Sequence, residues 1–317
     1  MRLPIVGLCL LVLVGVLVFA VERTGGSVPS AASSADRTPA SSSVGTRSAG
    51  ATPPSSARAA PSAGRTAIRS AVRHGDPLGN TAAAYLAGRS GAVLAAVYDL
   101  DTSQTWTIGN ARQVQDEASV VKVDILETLF AQRHGARSAT DQALAEQMIE
   151  DSDNDAATSL WDEVGGASGI RAYNTTLGLT GTTPSSCVQC PGFPWPGWGL
   201  TTTTPQDQIA LLRVLVSPGL AVSAADREFA LRLMENVTPS QRWGVSGGVP
   251  AQVTVALKNG WLPLNDAQTD WQINSVGWVS GLGRDYLIAV LSTGNPTEQY
   301  GIDTIDGLSA IVWDRLG

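Results

Sequence analysis

Ser119-Val120-Val121-Lys122-Val123-Asp124-Ile125-Leu126-Glu127-Thr128-Leu129-Phe130 is the stretch on which the reading of the fold turns. Val123, Ile125, Leu126, Leu129 and Phe130 recur at helical spacing, so the segment reads as a helix with Ser119 and Lys122 on one face at its start. Three residues apart on a helix, a lysine amine can reach a serine hydroxyl and take its proton. Lysine is otherwise almost absent: of 21 basic residues only Lys122 and Lys258 are Lys, and the rest are Arg. Arg stays charged near neutral pH, whereas a partly buried Lys can give up its proton, so a general-base amine is one place where Arg is no substitute.

Two further segments extend the pattern. Ser152-Asp153-Asn154 lies in a polar break between two helical stretches, where a serine and an amide can face a cleft as proton shuttle and substrate clamp. Lys258-Asn259-Gly260 closes Val253-Thr254-Val255-Ala256-Leu257, whose β-branched residues read as a strand. Gly260 would let a ligand lie close against that strand, and Lys258 would supply a fixed positive charge. Singly, each segment has an ordinary explanation: a helix surface, an N-cap, a hairpin end. Their order and local contexts together are far more specific.

The set S-x-x-K, S-D-N and a K-T-G-like triplet resembles the signature of the penicillin-recognising serine hydrolases, and within them the class A β-lactamases. The resemblance runs from about Leu78 to the C-terminus and takes in Trp243-Gly244-Val245-Ser246-Gly247-Gly248-Val249-Pro250. It implies an α+β fold of the β-lactamase/transpeptidase type: a five-stranded antiparallel sheet flanked by helices, packed on an all-helical lobe, with the site between. It also implies roles. Ser119 attacks a lactam or peptide carbonyl, Lys122 is its base, and Ser152 relays a proton to the leaving nitrogen. Asn154, Lys258, Asn259 and Gly260 bind substrate, and the backbone N–H groups of Ser119 and Trp261 form the oxyanion hole. No metal or organic cofactor is needed.

Three departures from the family pattern bear on function. Asn259 stands where Thr or Ser is usual, so a hydroxyl contact to the substrate carboxylate becomes an amide. The connection from Ser119 to Ser152 is short, which removes a wall of the cleft. From Thr180 to Thr204, ahead of the helix opened by Pro205, there is no acidic residue to activate a deacylating water. Three readings follow: a β-lactamase-type hydrolase with impaired deacylation, a D-Ala-D-Ala carboxypeptidase or transpeptidase, or a tethered penicillin- or wall-binding module without turnover.

Outside the resemblance, Leu3 to Val21 is an unbroken apolar run after Arg2, about long enough to cross a bilayer and longer than most signal-peptide cores. Residues 1–21 are therefore expected to export the chain, as a signal peptide or, by a small preference, a retained membrane anchor. Cys9 sits mid-run and reads as an ordinary membrane residue. Residues 22–77, rich in Ser, Ala, Pro, Gly and Thr, are expected to be a disordered linker, and 78–317 the hydrolase domain.

Up to residue 75 the linker holds seven Arg against Glu22 and Asp36, so with Arg2 set aside the chain from Asp76 onward carries −13 within a formal total of −7. So acidic a domain argues against nucleic acid. The expected partner is a small β-lactam or a peptidoglycan stem peptide, with membrane contact through the N-terminal segment only and a monomeric domain. The only histidines, His74 and His134, lie beside no serine motif, which counts against a Ser-His-Asp triad. Cys187 and Cys190 form C-x-x-C in a Pro/Gly/Trp-rich loop; a disulfide is expected, a redox pair is the lesser reading, and zinc would want two more ligands. Within the domain, Val93–Asp99 and Thr105–Ile108 read as a hairpin, 253–257, 271–279 and 286–291 as strands, and 304–316 as a closing helix.

Overall fold

Strand alternation sets the sheet. In β7 (Arg284–Asn295), Leu287 and Ala289 point into one core cluster while Ile288 and Val290 point into another. Both faces are thus apolar, and the strand must lie between two layers. It does so in a computed structural model describing residues 75–110, 113–219 and 221–317. The expected anchor at 1–21 and nearly all of the linker at 22–77 lie outside the described residues. Among the described residues no helix is long and apolar enough to cross a membrane.

β1 (Ala92–Asp99), β2 (Thr105–Ile108), β5 (Thr254–Pro263), β6 (Trp271–Gly281) and β7 form one antiparallel sheet in the order β2-β1-β7-β6-β5. Strands from both ends of the domain therefore pair side by side, Ala95 of β1 lying opposite Val290 of β7. One face is covered by α1 (Asn80–Ala87) and α8 (Glu298–Arg315), whose Ile305, Leu308 and Val312 pack on Val97, Ile273 and Ile288. Against the other face lies a helical block: α2 (Val121–Arg133), α3 (Ala139–Glu150), α4 (Asn154–Glu163), α5 (Gly166–Leu177), α6 (Pro205–Val216) and α7 (Ala224–Glu235). The expected α+β architecture is the observed one.

Local chemistry fixes where the helices begin. Ser138 and Asp141 form a reciprocal capping box for α3, Asp153 caps α4, and Thr204 with Pro205 opens α6. α2 has no side-chain cap; it grows out of a single 3₁₀ turn at Ala118–Val120. It is buried along Val121–Phe130, so its apolar residues carry no clear amphipathic stripe.

The structure alters two boundaries and adds one short ladder. β5 runs on through Lys258, Asn259 and Gly260 to Pro263, so the third motif lies inside a strand rather than at its end. The closing helix starts at Glu298, capped by Thr297. A two-residue ladder, β3 (Gln115–Asp116) on β4 (Thr202–Thr203), ties the approach to Ser119 to the loop preceding α6, and sequence reading did not find it.

Candidate active site

Ser119 sits in the 3₁₀ turn ahead of α2, half-buried, at the floor of a cleft that also exposes Asn154, Trp198, Gly199 and Trp261. The turn is sharp: Ala118 has φ of +49°, a left-handed conformation that costs a residue with a Cβ about 1–3 kcal/mol. Ser152 shows the same feature at φ +56°. Two strained residues at or beside two expected site serines are a signal that no periodicity could reveal.

Lys122, one turn into the helix, is fully buried and donates to Ser152 O at 2.6 Å, Ser152 Oγ at 3.0 Å and Asn154 Oδ1 at 2.9 Å. Lys258 reaches the same hydroxyl from the sheet side, 2.8 Å from Ser152 Oγ, and its remaining bond goes to its own neighbour's carbonyl, Asn259 O. Ser152 Oγ is thus held between two amines with no carboxylate bonded to either. Burial lowers the Lys122 pKa to about 7, partly opposed by Asp153. Burial and the nearby Lys122 push Lys258 well below the usual lysine range. The expected fixed positive charge on Lys258 is therefore corrected: two amines sharing one hydroxyl in a dry site disfavour each other's protonation, and the pair titrates as a unit.

Ser119 is not among the hydrogen-bond partners of Lys122 in this state, because all three amine contacts go to the second motif. A hydrogen bond between nucleophile and base commonly tightens only when substrate arrives.

Asn259 does not face the cleft. It is 1% exposed; its amide donates to Gln241 O at 2.6 Å and Trp243 O at 3.1 Å, and its Oδ1 accepts from Ser275 at 2.6 Å. With both amide protons spent, it has no donor left for a substrate carboxylate, contrary to the expectation. Instead it fastens the turn around Trp243-Gly244-Val245 to the sheet. Asn259→Ala should lower stability by about 2–4 kcal/mol, read as a fall in denaturation midpoint, because it strands two carbonyls and a hydroxyl in the interior.

Gly260 has a concrete reason to be glycine. A Cβ there would stand 2.7 Å from Glu117 O and 2.7 Å from Ser119 N, so β5 presses directly against the backbone N–H of the expected nucleophile. Trp261, the next residue, lines the same cleft.

The loop between α5 and α6 supplies the opposite wall. Cys187 and Cys190 are joined by a disulfide that packs on Gly197, where a Cβ would lie 1.9 Å from Cys187 O. Trp198, 2% exposed, follows. Its Nε1 donates to Thr158 Oγ1 at 3.0 Å, and its ring lies 5.0 Å from Lys122 Nζ. In the sequence this tryptophan is only one residue of a Pro/Gly/Trp-rich loop. Among the described residues no carboxylate lines the cleft over Ser119.

Beneath α2 lies a group of buried acids that sequence reading missed. Asp124 accepts from Asn174 at 2.7 Å, Glu127 accepts from the Tyr173 hydroxyl at 2.9 Å, and the fully buried Glu117 carboxylate has Thr203 and Gln208 beside it. Burial raises the pKa of all three, Asp124 to about 7 and both glutamates well above their usual range.

The model of the Beta-lactamase enzyme family matches residues 133–316, more than half of the chain, and the chain belongs to that family. The match takes in the second and third motifs; Ser119 and Lys122 lie just upstream of it. The class A β-lactamase of Bacteroides cellulosilyticus DSM 14838 superposes with a TM-score of 0.65 at 19% identity, over 76% of this chain and 97% of that one. A PBP-A variant in its acyl-enzyme complex with penicillin G gives a TM-score of 0.60 at 20% identity, over 73% and 92%. At these identities the likeness is one of fold. Among curated proteins, "Putative lipoprotein LppW" of Mycobacterium tuberculosis (strain ATCC 25618 / H37Rv) is 29% identical over 218 residues, 65% of this chain. The chain spans 65% of the length of the curated relatives it matches.

Proposed function

We propose that the chain is an exported active-site-serine hydrolase acting on β-lactams or related cell-wall peptide amides through an acyl-enzyme on Ser119, and that water releases this acyl group slowly. The observation carrying the reading is the pair of buried lysines bonded to one serine hydroxyl, one of which also bonds Asn154 in the cleft that holds Ser119. An uncharged Lys122 accepts the Ser119 proton as Oγ bonds to the carbonyl carbon. The proton passes through Ser152 to the leaving nitrogen as the C–N bond breaks. Asn154 offers its amide to the substrate, and the N–H groups of Ser119 and Trp261 receive the developing oxyanion. A substrate carboxylate approaching Lys258 would favour its ammonium form and leave Lys122 the neutral member of the pair.

Slow release is supported by the lining of the cleft over Ser119, in which Trp198 and its neighbours in the loop before α6 contribute no carboxylate. The same observation favours a second reading, a carboxypeptidase or transpeptidase in which a peptide amine resolves the intermediate. Export is supported by the apolar run Leu3–Val21 and by the lipoprotein name of the mycobacterial relatives. The test is labelling with benzylpenicillin followed by peptide mapping, which should place the adduct on Ser119.

The acylation rate should rise with pH through a limb near 7, because the reactive form is the deprotonated amine and burial holds Lys122 at about 7. Stopped-flow acylation between pH 5.5 and 9 checks this. A rate flat across that range contradicts Lys122 as the base.

A further inference from the structure

The space directly over Ser119 is narrow, about 40 Å³, but it shares Phe193, Trp195 and Pro196 with a larger pocket of about 440 Å³ beside it. That pocket lies between the first turns of α4, represented by Asp155 and Thr158, and the disulfide-closed loop, represented by Val188. Its volume is that of a small-ligand site. Val188 and Trp195 are two of the five exposed large apolar side chains among the described residues, at 47% and 46% exposure, so the pocket presents apolar surface that solvent does not favour.

The polar chemistry of the pocket is one-sided. Asp155 is the one charged residue lining it, its carboxylate is exposed, and among the described residues no cation pairs with it. Asp155 adjoins Asn154, the proposed clamp for a substrate amide, and aromatic rings face it across the pocket. A carboxylate together with Phe193 and Trp195 makes a surface that attracts an ammonium group and repels an anion. The charge of the surrounding chain, −13 once the basic N-terminal region is set aside, biases the site the same way.

We propose that this pocket is a side-group subsite selecting substrates whose acyl group carries an apolar or aromatic side group bearing an ammonium, with Asp155 as its counter-ion. The inference rests on the reading of Ser119 as an acylated nucleophile. It adds a substrate class to that reading, an amine-bearing acyl donor, such as a peptide with a free amino group near the scissile amide.

The experiment compares acylation of the full-length chain by benzylpenicillin and by its α-amino and α-carboxy analogues, followed by intact mass. The quantity read is the ratio of the α-amino to the α-carboxy rate constant. Differences in intrinsic lactam reactivity cancel when this ratio is compared between wild type and variants. Asp155→Asn should reduce the ratio by about tenfold, Asp155→Glu should keep most of it, and raised salt should shrink it in the wild type. Asp266→Asn, in the smaller pocket on the other side of Trp195, should leave it unchanged. A ratio that survives Asp155→Asn, or moves with Asp266→Asn instead, overturns the assignment. If none of the three penicillins labels Ser119, the nucleophile reading has failed and the subsite falls with it, whereas labelling by all three with no dependence on Asp155 overturns the subsite alone.

Discussion

Ser119→Ala should abolish covalent labelling by any β-lactam, and Lys122→Arg should slow it by about 10³, within the range of 10² to 10⁴ usual for loss of a general base. The alanine variant removes the only proposed nucleophile. The arginine variant keeps a cation but cannot accept a proton. It also has to place a planar guanidinium where an amine now meets Ser152 O, Ser152 Oγ and Asn154 Oδ1 within 2.6 to 3.0 Å. Intact mass after a fixed exposure to benzylpenicillin measures both. A Lys122→Arg chain that labels at the wild-type rate would show that another group takes the proton.

Stability should fall as pH rises from about 4 to 8, with Asp124 alone accounting for a loss on the order of 4 kcal/mol. Its ordinary pKa of 3.8 is raised to about 7 by burial, so the folded chain holds this proton more tightly than the unfolded chain does. A raised carboxyl pKa contributes stability that is complete below the unfolded value and is lost as pH climbs through the folded one. Glu117 and Glu127 are shifted in the same direction by the same cause and add to the slope. Below about pH 7 Lys122 is protonated in both folded and unfolded chains and adds little opposing slope, whereas Lys258, held well below the usual lysine range by burial, opposes the fall wherever it is neutral in the folded chain, so the comparison with Asp124→Asn isolates the contribution of the acid. Asp124→Asn can still accept from Asn174 and should flatten the curve, matching the wild type near pH 4 and exceeding it near pH 8. Urea denaturation at several pH values checks this, and parallel curves for the two proteins would contradict it.

Asp124 and Glu127, three apart on α2, look like a solvated helix face, and only the packing of α5 over them turns that face inward. Strands were legible where alternation or β-branched runs were strong, as in β1, β2 and β6, because that signal is local. Gly260 reads in the sequence as a place where a ligand can lie close to the strand; what lies close is the chain's own backbone, since a Cβ there would stand 2.7 Å from Ser119 N, a tertiary demand that leaves no local trace. Asn259 was assigned to substrate by position in a motif, whereas the strand pleat turns it into the interior. Lys122 and Lys258 stood out because an Arg-rich composition isolates them, and the structure brings both to Ser152. Trp198 could not be placed, because its approach to Lys122 depends on the fold of a long irregular loop with no period of its own.

The measurement that bears most directly on the central claim is a time course of intact mass for the full-length chain mixed with benzylpenicillin and then freed of excess reagent. The account predicts rapid gain of one penicillin mass on Ser119, followed by a decay slower by about 10² to 10⁴ than base-assisted release would be, since among the described residues no carboxylate lines the cleft over Ser119. Fast multiple turnover, with no adduct persisting after removal of excess penicillin, would contradict it.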